Sequence, residues 1–214
     1  MSHEKGSWWM RGLTVGVCLA IGGLSAISVL RAGGTLPLVR AAEDPQALPT
    51  EALSALLTAV PETCDGAAFP ARRTIHGALA DRTDAPDAVT DAARRTAALA
   101  VACSPADGRA LAWHARLLAG EAAIRAALLS QKTAPADPAA LRDRVAVWSR
   151  TGGDLPPEAF EAFESDLTVV LSTWAEPDVR AVTQALSPAH RSVLAERMAA
   201  LPAERRDLLN QFGI

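Results

Sequence analysis

The sequence predicts an all-α protein, with one N-terminal transmembrane helix and a soluble domain built as helical hairpins or a short solenoid. Three observations carry this expectation. The chain opens on an uncharged apolar run of nineteen residues, its apolar half leans on Ala with no Tyr anywhere, and its remainder alternates amphipathic segments with Pro and Gly. At 214 residues and 50% apolar content, one buried core is within reach. Charges nearly cancel at a net of -3, and Lys5 and Lys132 are the only lysines. No dense basic patch of the kind that binds nucleic acid is present, so no nucleic-acid partner is expected.

Residues 1–11 form a short tail that ends in Trp8, Trp9 and Arg11. Residues 12–30 read GLTVGVCLAIGGLSAISVL, which at about 1.5 Å per residue gives nearly 30 Å of helix, the thickness of a bilayer's hydrocarbon core. The two indoles favour the headgroup layer, while Arg11 and Arg31 can reach opposite interfaces. The apolar run is longer than a cleavable signal peptide needs, and the nearest small-residue site, Val39-Arg40-Ala41, lies well beyond it. Cys18 sits mid-span and does not fit a lipid-modified N-terminus. Gly12, Gly16 and Ala20 stand four apart on one face, a spacing that lets two membrane helices approach closely and allows a homo-oligomer. Lys5 and Arg11 balance Arg31 and Arg40, so the positive-inside rule does not orient the span. The short tail and two cysteines in the long domain favour a cytoplasmic N-terminus with the domain on the outer side of the membrane.

Residues 31–49, with Gly33, Gly34, Pro37, Pro45 and Pro49, read as a linker without helical period. Residues 50–214 then form the helical domain. Amphipathic helices are expected over Thr50–Val60, Ala71–Ala80 and Ala88–Cys103, followed by one long helix over Asp107–Gln131. Further helices are expected over Ala139–Arg150 and Glu158–Trp174, and Pro177, Pro188 and Pro202 divide the tail into three short ones. Ala93, Ala97, Ala100 and Pro105 fall at spacings found in the second helix of a tetratricopeptide repeat, and Trp113 to Trp148 is one residue off a 34-residue period.

One stretch carries a resemblance. Cys103-Ser104-Pro105, Asp107-Gly108, Trp113, Leu129-Ser130 and Thr133-Ala134-Pro135, followed by Arg144 and Trp148, resemble a pattern in small single-pass, repeat-like helical proteins of alphaproteobacteria, some linked to exopolysaccharide systems. The resemblance covers about a quarter of the chain and departs at Leu111-Ala112, where a shorter spacing before Trp113 is expected. It implies a membrane-tethered accessory protein of polysaccharide assembly or export, and it carries over no catalytic residue.

The candidate chemistry is sparse. Cys64 and Cys103, the cysteines outside the span, are a disulfide candidate that would close a loop of roughly 40 residues, the alternative being two free thiols. His3, His76, His114 and His190 are scattered without metal-ligand spacing, and no cofactor is expected. Acidic pairs such as Asp84 with Asp87, Glu158 with Glu161 and Glu161 with Glu164 could serve glycosidic chemistry, but they also suit a solvated helix face. Trp113, Trp148 and Trp174 either fill the core or, where exposed, mark a partner surface. The leading expectation is a non-enzymatic adaptor or assembly factor with a protein partner in the envelope. A glycan-acting envelope enzyme and an accessory subunit of a membrane complex are the alternatives.

Overall fold

A computed structural model describes residues 35–58, 61, 63–80, 82, 86–151 and 155–214. Every regular element among them is helical, so the fold is all-α. No described helix is long and apolar enough to cross a membrane, and the run 12–30, with Gly12, Gly16 and Ala20, lies outside the described residues.

The expected linker is in part folded structure. Residues 35–43 are helical (α1), and Pro45–Ala47 form a single 3-10 turn. Leu38 and Ala41, three apart and therefore on one helix face, are buried with Leu53, Leu57, Ile75, Leu79 and Val89. Arg82 fastens the segment that follows, donating to the carbonyls of Leu48 at 3.0 Å and Pro45 at 3.1 Å and to the Thr50 hydroxyl at 3.1 Å. The Gly and Pro residues around this short apolar face obscured it in the sequence.

Three helices complete this end of the domain: α2 (Thr50–Thr58), α3 (Ala68–Ala80) and α4 (Asp87–Cys103). They match the expected segments to within a few residues. Ala92, Ala93, Ala97 and Ala100 line the buried side of α4, and such small side chains let neighbouring backbones approach. Against this face packs α5 (Gly108–Leu117), where Trp113 fills the space left by Ala93 and Ala97.

The single long helix expected over Asp107–Gln131 is two helices. After α5 the chain extends through Leu118 and Ala119, then turns back as α6 (Gly120–Thr133). Gly120 sits at φ +57, a conformation that side chains with a Cβ adopt at a cost. Apolar residues continue at helical spacing through the break, which is why periodicity alone bridged it. The two helices close on each other tightly. A Cβ on Gly108 would lie 2.4 Å from that of Ala134, so only Gly permits the approach.

The chain continues with α7 (Pro138–Thr151), α8 (Pro157–Thr173), α9 (Glu176–Ala185), a 3-10 turn at Pro188–His190, α10 (Arg191–Ala199) and α11 (Ala203–Gln211). Leu141, Trp148, Phe163, Leu167 and Leu171 form the centre of the larger core, closed by Val179, Val193 and Leu209 from the last three helices.

Within that core lies an ion pair sealed from solvent. Arg144 on α7 and Asp166 on α8 are 0% and 1% exposed. Arg144 donates through Nε to Asp166 Oδ2 (2.8 Å) and through Nη2 to Asp166 Oδ1 (2.9 Å) and the Pro135 carbonyl (3.0 Å). Its Nη1 serves the Ser130 hydroxyl (3.1 Å) and the Ala134 carbonyl (3.0 Å), so all five N–H groups are used. The Trp148 indole N–H completes Asp166 at 3.0 Å, and Ser130 donates onward to the Gly108 carbonyl at 2.7 Å. Replacing Asp166 with Ala strands a buried guanidinium and is expected to cost about 3–5 kcal/mol of stability. The double variant Arg144→Met/Asp166→Leu is expected to lose less than the two single variants together. Urea denaturation of the full chain in neutral detergent, followed by circular dichroism, measures both, and additive losses would contradict the account.

Candidate functional site

Three helices, α3, α5 and α7, begin in the same way. At each entry one Asp carboxylate oxygen accepts two backbone N–H groups that have no partner inside the helix. Asp65 takes those of Ala67 (3.0 Å) and Ala68 (3.3 Å), Asp107 those of Arg109 (2.9 Å) and Ala110 (3.3 Å), and Asp137 those of Ala139 (3.1 Å) and Ala140 (2.9 Å). The entries to α5 and α7 even share the tripeptide Pro-Ala-Asp, at 105–107 and 135–137. These three helices wall a cleft of about 580 Å³, closed on one side by the end of α4.

Arginines dominate the cleft, and each is braced. Asp143 on α7, almost fully buried, forms an ion pair with Arg73 of α3 at 2.8 Å and another with Arg116 of α5 at 3.2 Å. Arg73 also donates to the Ala139 carbonyl. Near the mouth, Arg109 pairs with Asp137 at 2.6 Å. Arg142 pairs with Asp178 at 2.7 Å while its guanidinium lies 5.4 Å from the centre of the Trp174 ring. One carboxylate shared by two arginines leaves a positive excess, which suits a ligand that brings carboxylates or backbone carbonyls. Both lining carboxylates are occupied as acceptors, Asp107 by backbone N–H groups and Asp143 by guanidiniums.

His76 of α3 is 7% exposed and faces this cleft, and it makes no hydrogen bond among the described residues. Burial pushes its pKa below the ordinary imidazole value, the Arg116 charge pushes the same way, and Asp143 pulls against both. Burial also lowers the pKa of His114.

The residues singled out in the sequence fall in different places. Cys64 and Cys103 are joined by a disulfide, with Cα atoms 5.7 Å apart across a separation of 39, and both line the cleft. Trp113 lines it too, although only 2% exposed, and its indole N–H has no acceptor. Trp148 is fully buried beside Asp166, and Trp174, 9% exposed, lies under Arg142. Each of the three fills space between helices, and of the three only Trp113 also lines the cleft. Glu158 pairs with Lys132 at 3.0 Å and Glu164 with Arg197, both away from the cleft, while Asp84 lies outside the described residues. His190 lies against Phe163 in the core, with ring centres 4.5 Å apart and the planes tilted by 40°. Among the described residues, no group of three or more His, Cys, Asp or Glu is placed to hold a metal ion.

Sequence reasoning missed Arg73, Arg109, Arg116, Arg142 and Asp143. The Pro-Ala-Asp repeat was the available signal, because aligning it brings α5 and α7 into register as equivalent helices. A scan against protein-family models finds no match to the chain, and comparisons with curated proteins and with solved structures find none either.

Two predictions follow from this geometry. Reducing Cys64–Cys103, or replacing both with Ser, is expected to lower stability by about 4 kcal/mol on the chain-entropy account, read from urea midpoints with and without reductant. Coincident midpoints would show that the bond adds nothing. The histidines set a pH dependence. His76 and His114 bind protons less readily folded than unfolded, so their contribution is complete above the unfolded pKa near 6.5 and is lost as pH falls below it. Stability is therefore expected to drop between pH 7.5 and 5.5, and His76→Gln to flatten that drop; identical slopes for both proteins would remove His76 from the account.

Proposed function

We propose that this chain is a non-enzymatic, single-pass membrane adaptor or assembly factor of a bacterial envelope complex, with its N-terminus cytoplasmic and its helical domain periplasmic. The observation that carries this reading is the braced arginine cleft between α3, α5 and α7. Guanidiniums held in place by ion pairs offer N–H donors at fixed positions, which lowers the ordering cost of seating an extended segment of another protein. The apolar run 12–30 supports the anchor, and the Cys64–Cys103 bond suits an oxidising compartment.

In this reading the pairs α3–α4, α5–α6 and α7–α8 are successive hairpins of a short tetratricopeptide-like solenoid, whose first helices share the binding face. The like-capped starts of α3, α5 and α7 support it. Exopolysaccharide biosynthesis or export is the pathway to which the sequence resemblance points. Confinement to the bilayer would raise the effective concentration of the cleft near a membrane partner, and Gly12, Gly16 and Ala20 would pair copies of the anchor. A glycan-acting enzyme has less support, since it calls for exposed Trp beside two uncommitted carboxylates.

A photo-crosslinking amino acid at Thr74, on the cleft wall, is expected to give one defined adduct with an envelope protein in intact cells. Adding Arg109→Glu and Arg142→Glu is expected to abolish that adduct, and the same probe at exposed Leu208 to give none. Equal adducts from both positions would count against the cleft as the partner site. In parallel, a membrane-impermeant thiol reagent is expected to label Cys64 and Cys103 in intact cells only after reduction; labelling that needs opened cells would place the domain in the cytoplasm.

A further inference from the structure

The groove continues past the cleft. Over the last turns of α3 and α5 and the end of α7, a second cavity of about 720 Å³ opens, and His76 and Arg116 line both spaces. This end differs in charge. Arg94, Arg116 and Arg150 line it, and no Asp or Glu stands among its described lining residues.

Local structure accounts for only part of what these arginines can do. Arg94 donates to the Leu117 carbonyl at 3.2 Å and pairs with Asp91 at 2.8 Å. Arg150 donates to the Leu118 carbonyl at 3.4 Å and forms no ion pair among the described residues. Both thus hold carbonyls at the C-terminal end of α5, where helix carbonyls lack partners. Arg116 spends one bond on Asp143, at 3.2 Å. Each guanidinium carries five N–H donors, so most of them remain for a ligand. Burial pushes the Arg150 pKa down, and the neighbouring Arg116 charge pushes the same way.

Two further features border the same cavity. Ala119, the residue before the 14-residue helix α6, lines it and carries no polar group to cap the first-turn N–H groups. The acid of that turn, Glu121, is paired along the helix with Arg125. His76, more than nine-tenths buried and without a hydrogen bond among the described residues, faces the cavity from α3. Leu79, Val89 and Leu117 supply an apolar wall.

We propose that this cavity binds a small phosphate-bearing ligand, with Arg94, Arg116 and Arg150 on the phosphate and the start of α6 and His76 as additional donors. Three guanidinium forks match the several oxygens and multiple charge of a phosphate better than a single carboxylate, and the apolar wall takes the uncharged remainder. The site does not depend on the adaptor reading, because it uses neither the partner cleft's mouth nor the anchor. A free phosphate compound and a lipid phosphate headgroup are the two sources of this chemistry.

Calorimetric titration of the full chain in neutral detergent with inorganic pyrophosphate is expected to show saturable binding of one equivalent. Arg150→Gln and Arg94→Gln are each expected to weaken it roughly tenfold, the loss of about 1.4 kcal/mol for one charged hydrogen bond. Arg180→Gln, at an exposed position of α9 that lines neither cavity, is expected to leave it unchanged, with circular dichroism confirming the fold of every variant. Repeating the titration in nanodiscs of phosphatidylcholine with phosphatidic acid separates the sources: competition from the lipid assigns the headgroup, and undiminished binding assigns a free phosphate compound. Non-saturable heats, or equal weakening by Arg180→Gln, would overturn the proposal.

Discussion

The buried pair of Arg144 and Asp166 is the constraint on which the rest of this domain depends. A guanidinium removed from water requires a partner for every N–H, and the chain supplies them from α6, the turn after it and α8. That requirement fixes where the backbone passes at Ala134 and Pro135. It thereby fixes Asp137 two residues later, and with Asp137 the start of α7. The residues preceding Arg144 then project Arg142 and Asp143 toward α9 and α3 respectively. One face of α7 is thus locked in the core while the adjacent face displays charge, and the precision of the display follows from the rigidity of the lock.

The groove along α3, α5 and α7 uses a single chemistry in two ways. Toward the helix starts, each arginine faces a carboxylate, and those pairs hold the surface in place. Toward the helix ends, Arg94 and Arg150 lean on backbone carbonyls, and of these two Arg94 alone also meets a carboxylate among the described residues, that of Asp91. Arg116 and His76 stand where these two stretches meet, since both line the cleft and the second cavity.

Much of the helical layout was legible because Pro and Gly fall where helices stop, as at Pro105, Pro156 and Pro202, and because Ala and Leu recur at helical spacing between them. What periodicity cannot register is a change of direction without loss of apolar spacing. Leu117, Leu118 and Ile124 continue one pattern across the turn at Gly120, and Leu38 with Ala41 is too short a face to stand out among prolines. The pairing of Cys64 with Cys103 was readable because the remaining cysteine, Cys18, lies within the apolar run 12–30. The cleft was not, because an Arg that will pair with a distant Asp looks the same in sequence as one that will face water. Arg73 and Asp143 lie seventy positions apart, and only the tertiary arrangement makes them neighbours.

The packing of α1 against the domain bears on reach. Were the bilayer span to end at Leu30, only residues 31–34 would separate it from a helix already docked beside Leu53 and Ile75. Four residues extend to no more than about 14 Å, against some 65 Å for the full stretch 31–49 drawn out straight. On the proposed anchor, a domain held this closely would patrol a shallow layer above the lipid surface and meet only targets that come down to it. Its working radius would then be set by a few peptide bonds.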